Sequence, residues 1–265
     1  LRFSKKEYAS LTDQLHTALD AAEASGAILR HYFRSSLEAD SKTDESPVTI
    51  ADREAEQAIR NVIAAQFPGH DIIGEEFGQQ STGADYCWVL DPLDGTRAFI
   101  TGRPSFGTLI ALLHHGVPVL GIIDQPVTGE RWIGLAGEPT RFSGPFGGRV
   151  GASVCTDIAA AELSSTSPEA LGAQFSAWQC LAGRARRVSW GGDCYLYGLL
   201  ALGHIDLVAE SNMKLWDYAA LVPVVQGAGG RITDWSGRAL GPHSDGTVLA
   251  AATPALHGQA LACLA

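Results

Sequence analysis

The 265-residue chain has no C-x-x-C pair, and its five cysteines, Cys87, Cys155, Cys180, Cys194 and Cys263, are scattered through apolar surroundings. An odd, dispersed set gives no sign of a disulfide framework and leaves reduced, buried thiols in a cytoplasmic protein as the expectation. No apolar run approaches the roughly 20 residues that cross a bilayer. The opening stretch LRFSKKEYASLTDQLHTALD lacks the basic start, apolar middle and small-residue cleavage site of a secretory signal, so no membrane partner is expected. Positive charge is also scarce, with 19 Lys and Arg against 29 Asp and Glu, a net charge of −10. Phosphate backbones need a basic face, so nucleic acid is not an expected partner. Repeats, low-complexity tracts and long linkers are missing, which argues for one unit over 1–265, with approximate halves at 1–150 and 151–265.

What is present is a change of periodicity along the chain. Tyr8, Leu11, Leu15, Ala18, Ala22, Leu29 and Phe33 make one apolar stripe and predict a long helix ending near Ser35. After a polar segment, Thr49 with Asp52 resembles a capping box that opens a second helix through Ala55, Ile59, Val62 and Ile63. Short strands are predicted at 71–74 and 87–90, a hairpin at 108–123 around His114-His115-Gly116, and another strand at 130–136. The second half alternates, with strands at 162–165, 187–190, 205–209, 231–234 and 247–251. Its predicted helices are 195–202, 217–226 and a last one from Pro254. Helices, then strands, then alternating elements predict layered sheets between helix pairs, an α/β or α+β sandwich.

Acids recur at the ends of these elements: Asp52, Glu75-Glu76, Asp91 and Asp94, and Asp217. Singly, each has an ordinary explanation, Asp52 as a first-turn acid, Glu75-Glu76 as a solvated turn and Asp217 as a helix cap. Asp91 and Asp94 resist such readings, because a turn needs at most one of them. If the sheet brings these junctions together, the charge requires cations, and carboxylates without paired His or Cys suit Mg²⁺ or Mn²⁺. The remaining ligands of a twelve-residue calcium loop are missing after Asp91. Magnesium in an acidic pocket points to phosphoryl chemistry. Gly95-Thr96 fits it independently, as a turn whose backbone N–H groups can meet phosphate oxygens. Thr96 could also pass a water proton to Asp52. Walker, dinucleotide-binding and G-x-S-x-G patterns are all missing, which removes support for those hydrolase types.

Taken together, Asp52, Glu75-Glu76, Asp91-Pro92-Leu93-Asp94-Gly95-Thr96 and Trp216-Asp217-Tyr218-Ala219-Ala220 resemble the inositol monophosphatase family, with the match spanning residues 42–230. The resemblance implies an αβαβα sandwich, Mg²⁺-dependent hydrolysis of a small phosphorylated metabolite, inhibition by Li⁺ in many members, and a homodimer. It implies that Glu75, Asp91, the Leu93 carbonyl, Asp94 and Asp217 hold metal, with Gly95 and Thr96 on the phosphate. Asp52, Thr96 or Glu75 would activate the attacking water. Asp193 and Glu210 would lie against the alcohol part of the substrate, and Lys42 and Glu76 are further candidates near the metals. Arg97-Ala98-Phe99, where inositol phosphatases carry Thr-Asn-Phe, and Gly191-Gly192-Asp193-Cys194-Tyr195 resemble the histidinol-phosphate phosphatase branch. Arg97 could contact substrate or a dimer partner, and Arg103 could be a surface arginine. Hydrolysis of another small phosphate, or a silent metal or phosphate sensor, are the rival expectations. Lys214, three residues before Asp217, departs from the pattern, and its direction is open.

Overall fold

The computed structural model describes residues 11–35, 40–41, 47–48 and 50–264. Lys42, Tyr8 and the expected Thr49 cap lie outside the described residues. Helix α1 (Thr12–Tyr32) turns Leu15, Ala18, Ala22 and Leu29 inward, the stripe that the sequence predicts. Two short strands, β1 (Asp40–Ser41) and β2 (Pro47–Val48), pair antiparallel before helix α2 (Ile50–Gln66). That helix buries Ala51, Ala55, Ile59 and Ile63, four residues apart and hence on one face. It packs along α1.

The first sheet comprises β3 (Asp71–Gly74), β4 (Gly78–Gln80), β5 (Tyr86–Asp94), β6 (Gly107–His114), β7 (Val117–Gln125), β8 (Glu130–Leu135) and β9 (Arg141–Ser143). Its order is β4-β3-β5-β6-β7-β8-β9, and a short helix α3 (Thr96–Ile100) joins β5 to β6. Alternation divides its side chains: Trp88, Leu90, Ile110, Leu112 and Ile122 meet the α1–α2 pair, while Val89, Leu109, Ala111 and Ile123 face the other way.

The second half runs β10 (Glu162–Ser165), α4 (Pro168–Leu171), α5 (Phe175–Ala182), β11 (Arg187–Trp190), α6 (Tyr195–Ala201) and β12 (Leu207–Glu210). It continues through α7 (Leu215–Tyr218), α8 (Leu221–Gly227), β13 (Arg231–Thr233), β14 (Val248–Ala251) and α9 (Pro254–Leu264). Its strands form a sheet of order β11-β10-β12-β14-β13. Helices α6, α7 and α8 lie between the two sheets, and α5 with α9 covers the far face of the second. The layering is αβαβα, as expected.

Several local expectations change. The predicted helix 217–226 is two helices, because Pro223 lacks the N–H that a continuous helix would bond to the Ala219 carbonyl. Helices α4 and α5 interrupt each other at Gly172, with φ +49°, which hides their periodicity. The strand predicted from 205 begins at Leu207. Of the thiols expected to be buried, only Cys194 and Cys263 are. Cys180 is exposed on α5, and Cys87 and Cys155 are half-buried. No described helix is long and apolar enough to cross a membrane.

The middle helices approach the first sheet closely through two glycines. Gly121 and Gly134 are direct cross-strand partners on β7 and β8. A Cβ on the first would overlap the Ala220 carbonyl, and one on the second the backbone at Pro223 and Val224. Overpacking of this kind costs about 1–3 kcal/mol or more. Gly134→Ala should therefore lower the urea midpoint of unfolding clearly, whereas Gly69→Ala, where a Cβ meets nothing within 4 Å, should hold it.

Candidate active site

Strand β5 solves a parity problem. Residues three apart on a regular strand point to opposite faces, so Asp91 and Asp94 should not converge. Asp91 pairs with Leu109 and Asp94 with Gly107, so β5 spends three steps where β6 spends two. This β-bulge adds one residue and brings both carboxylates to the same side. Pro92 suits the bulge because it has no N–H to leave unpaired, and its carbonyl accepts the Thr108 hydroxyl at 2.8 Å.

Asp217 arrives from α7, which packs on β5 and β6. One carboxylate oxygen from each of Asp91, Asp94 and Asp217 lies within 4.8 Å of the others. Glu75 stands outside this trio, but its charge acts on both Asp91 and Asp217. Asp52, buried in the first turn of α2, adds its charge at Asp91. Burial foremost, then the charges of Glu75, Asp94, Asp217 and Asp52, hold Asp91 well above the usual carboxylate range. Asp94 is raised likewise by burial and by the charges of Asp193 and Asp217, against the N–H of Cys194, which donates to it at 2.5 Å. Asp217 is pushed up to about 7, chiefly by burial, with Glu75 and Glu210 adding repulsion. The backbone N–H of Lys214 donates to Asp217 at 2.7 Å, while the Lys214 residue itself is exposed.

Converging, repelling oxygen donors fit a hard divalent cation such as Mg²⁺. The fully buried Leu93 is linked to the same turn, since its N–H donates to Asp91 and its carbonyl accepts the Thr96 hydroxyl at 3.2 Å. Gly95 takes φ +88° there, and a Cβ would sit 2.8 Å from an Asp193 carboxylate oxygen, so two constraints require glycine.

Above the acids lies a cavity of about 630 Å³ lined by Glu75, Gly95, Thr96, Arg97, Asp193 and Asp217 among others. Asp193, at φ +46°, is pushed up to about 7 by burial and by Glu210, with Arg103 and Arg97 opposing. Glu210 is buried in an adjoining cavity of about 190 Å³, where it accepts the Thr166 N–H and the Tyr197 hydroxyl, each at 2.9 Å. Burial holds its carboxyl above the ordinary range. Glu76 turns elsewhere, 3.9 Å from Arg53 on α2. The sequence reading passed over Thr166, Glu169 and Trp190, which also line the larger cavity, as does Arg103. Ser167-Pro168, a cap followed by proline in the first helical position, was the signal that could have placed Glu169 at a helix start.

The sequence profile of the inositol monophosphatase family matches residues 11–265. The chain belongs to the inositol monophosphatase family. It is 48% identical over 220 residues to a protein of Arabidopsis thaliana named bifunctional phosphatase IMPL2, chloroplastic, covering 82% of this chain and 63% of that one. Identity to a histidinol-phosphatase of Chlorobaculum parvum is 39% over 236 residues, 86% of this chain and 88% of the other. An inositol monophosphatase structure from Zymomonas mobilis superposes with a TM-score of 0.86 at 45% identity, covering 96% of this chain and 98% of that one. The family is metal-dependent, and the acid cluster of this chain lies where its sheet and middle helices meet.

The acids make stability depend on pH with a definite sign. Carboxyls raised in the fold stabilise it fully below their unfolded values near 4 and cease to do so as pH climbs through the folded values, about 7 for Asp217 and Asp193. Metal-free protein should therefore lose thermal stability from this source between pH 4 and 8. Mg²⁺ should raise the melting temperature more near pH 8 than near pH 5, read by thermal unfolding with and without the ion.

Proposed function

We propose that this family phosphatase hydrolyses L-histidinol phosphate to L-histidinol and phosphate, by direct attack of water and without a covalent enzyme intermediate. The observation that carries the reading is the lining of the cavity over the acid cluster, where Asp193, Glu169 and Trp190 join the phosphate turn, with Glu210 next door. Histidinol phosphate offers an ammonium and an imidazole, and carboxylates recognise both, whereas a polyol needs only neutral hydrogen bonds. The name of the Chlorobaculum relative supports the same substrate, and that of the Zymomonas structure marks inositol phosphate as its competitor.

In this reading Glu75, Asp91, Asp94, Asp217 and the Leu93 carbonyl would hold Mg²⁺ or Mn²⁺. Such an ion would supply Lewis acidity toward water and neutralise charge on the phosphoryl group. Gly95 and Thr96 receive the phosphate, and Asp52 with Thr96 takes the proton of the attacking water. Asp193 and Glu210 meet the ammonium. Glu169 is kept ionised by its own N–H and the Ser167 hydroxyl, with the Arg97 charge assisting. Trp190 is 41% exposed toward solvent and stands against the buried Trp178, ring centroids 4.4 Å apart. That backing makes it a fixed aromatic surface for the imidazole. The Trp178 indole N–H, donated to the Ala209 carbonyl at 3.1 Å, fixes the support in turn. We propose a homodimer as the assembled form.

Phosphate release should be measured from histidinol phosphate, inositol 1-phosphate, a sugar bisphosphate and a 3′-phosphorylated nucleotide. kcat/KM should favour histidinol phosphate by at least about tenfold, the worth of about 1.4 kcal/mol. A rate no better than the others would end the assignment. In the same assay Trp190→Leu should raise KM for histidinol phosphate about three- to tenfold, the range of an aromatic–aromatic contact, and leave inositol 1-phosphate nearly unchanged.

A further inference from the structure

Glu56 carries a carboxylate with no exposure to solvent, one helical turn after Asp52 on α2. A buried carboxyl group costs several kcal/mol unless its polar atoms find partners, so those partners show what it is for. Oε2 accepts the Glu76 N–H at 2.7 Å. Oε1 accepts the Phe77 N–H at 3.3 Å and the Arg60 Nε–H at 2.7 Å. These donors are the backbone of the turn between β3 and β4 and a side chain one helical turn further on. Arg60 also donates to the Gly78 carbonyl at 2.5 Å, and its guanidinium lies 6.0 Å from the centre of the Phe77 ring. Arg53, at 3.9 Å from the Glu76 carboxylate, completes a row at positions 53, 56 and 60, which share one face of the helix.

The turn lies at the exposed edge of the sheet. Strand β4 is exposed along its whole length, and Gly74 pairs with Gly78 across the turn. A Cβ at Gly74 would overlap the Glu56 carboxylate, so the turn lies directly on it. Within those three residues sits Glu75, whose N–H donates to the Leu90 carbonyl at 3.2 Å and whose charge reaches Asp91 and Asp217.

We propose that Glu56 is a positioning residue that clamps the backbone of the 74–78 turn, aims the Glu75 carboxylate at Asp91 and Asp217, and thereby sets the affinity for the divalent cation. A carboxylate is required because every group facing it is a donor. Glutamine would turn an NH₂ against an N–H. The inference rests on the metal reading of the acid cluster but not on the identity of the phosphate ester.

The test is calorimetric titration of metal-free, folded protein with Mg²⁺ for wild type, Glu56→Gln and Glu56→Asp, the second shortening the side chain while keeping its charge. Groups that orient a metal ligand are worth about 10- to 100-fold in affinity, so both variants should weaken Mg²⁺ binding by at least about tenfold. A residue that merely supports the fold would lower the melting temperature and leave Mg²⁺ affinity unchanged. Folded variants that bind Mg²⁺ within twofold of wild type overturn the proposal, as does failure of both to fold. Wild-type protein that binds no Mg²⁺ removes the metal reading itself, and the proposal with it.

Discussion

Repulsion among Asp91, Asp94 and Asp217, sharpened by Glu75 and Asp52, is the constraint to which the surrounding structure answers. Left in water, such acids would separate and ionise. Here each is fixed to a different kind of support: a bulged strand for Asp91 and Asp94, a four-residue helix for Asp217, a hairpin turn for Glu75 and the first turn of a long helix for Asp52. The bulged strand and the two helices cannot yield without disturbing a packed layer, and the turn is held by its hydrogen bonds to α2. The stored electrostatic cost becomes affinity for whatever positive charge enters, which is how a protein with net charge −10 can attract a phosphate ester.

Much of this was legible because the relevant signals are local. The stripes of α1 and α2, the hairpin of β6 and β7, and the acids at element ends follow from spacing alone. Parity at Asp91 and Asp94 was not legible, since a bulge is set by the partner strand, and the strand was accordingly expected to stop at Leu90. The contribution of Glu56 was hidden for a different reason. A glutamate facing the solvent and one sealed under a turn look alike in a helix, and only its tertiary partners distinguish them. Trp190 and Glu169 were missed because they belong to an exposed edge strand and a four-residue helix, which carry little periodicity.

The division of labour in the cavity follows the two sheets. The acids assigned to metal come from the first sheet, the helices against it and the middle layer, while Glu210, Glu169 and Trp190 come from strands and helices of the second. Asp193 and Gly95 meet where the two sets touch. Under the proposed function, chemistry common to many phosphate esters and selection among them would rest on different sheets, which suits a family whose members carry the names of different substrates.

The glycine pair on β7 and β8 has a bearing on this arrangement as well. Helix α8 rests in the notch made by Gly121 and Gly134, and α7 with Asp217 precedes it by two residues, Ala219 and Ala220. The depth of that notch sets how closely the helix layer approaches the sheet at Ala220, three residues after Asp217. Two missing side chains on neighbouring strands thus let the segment that follows Asp217 rest directly on sheet backbone.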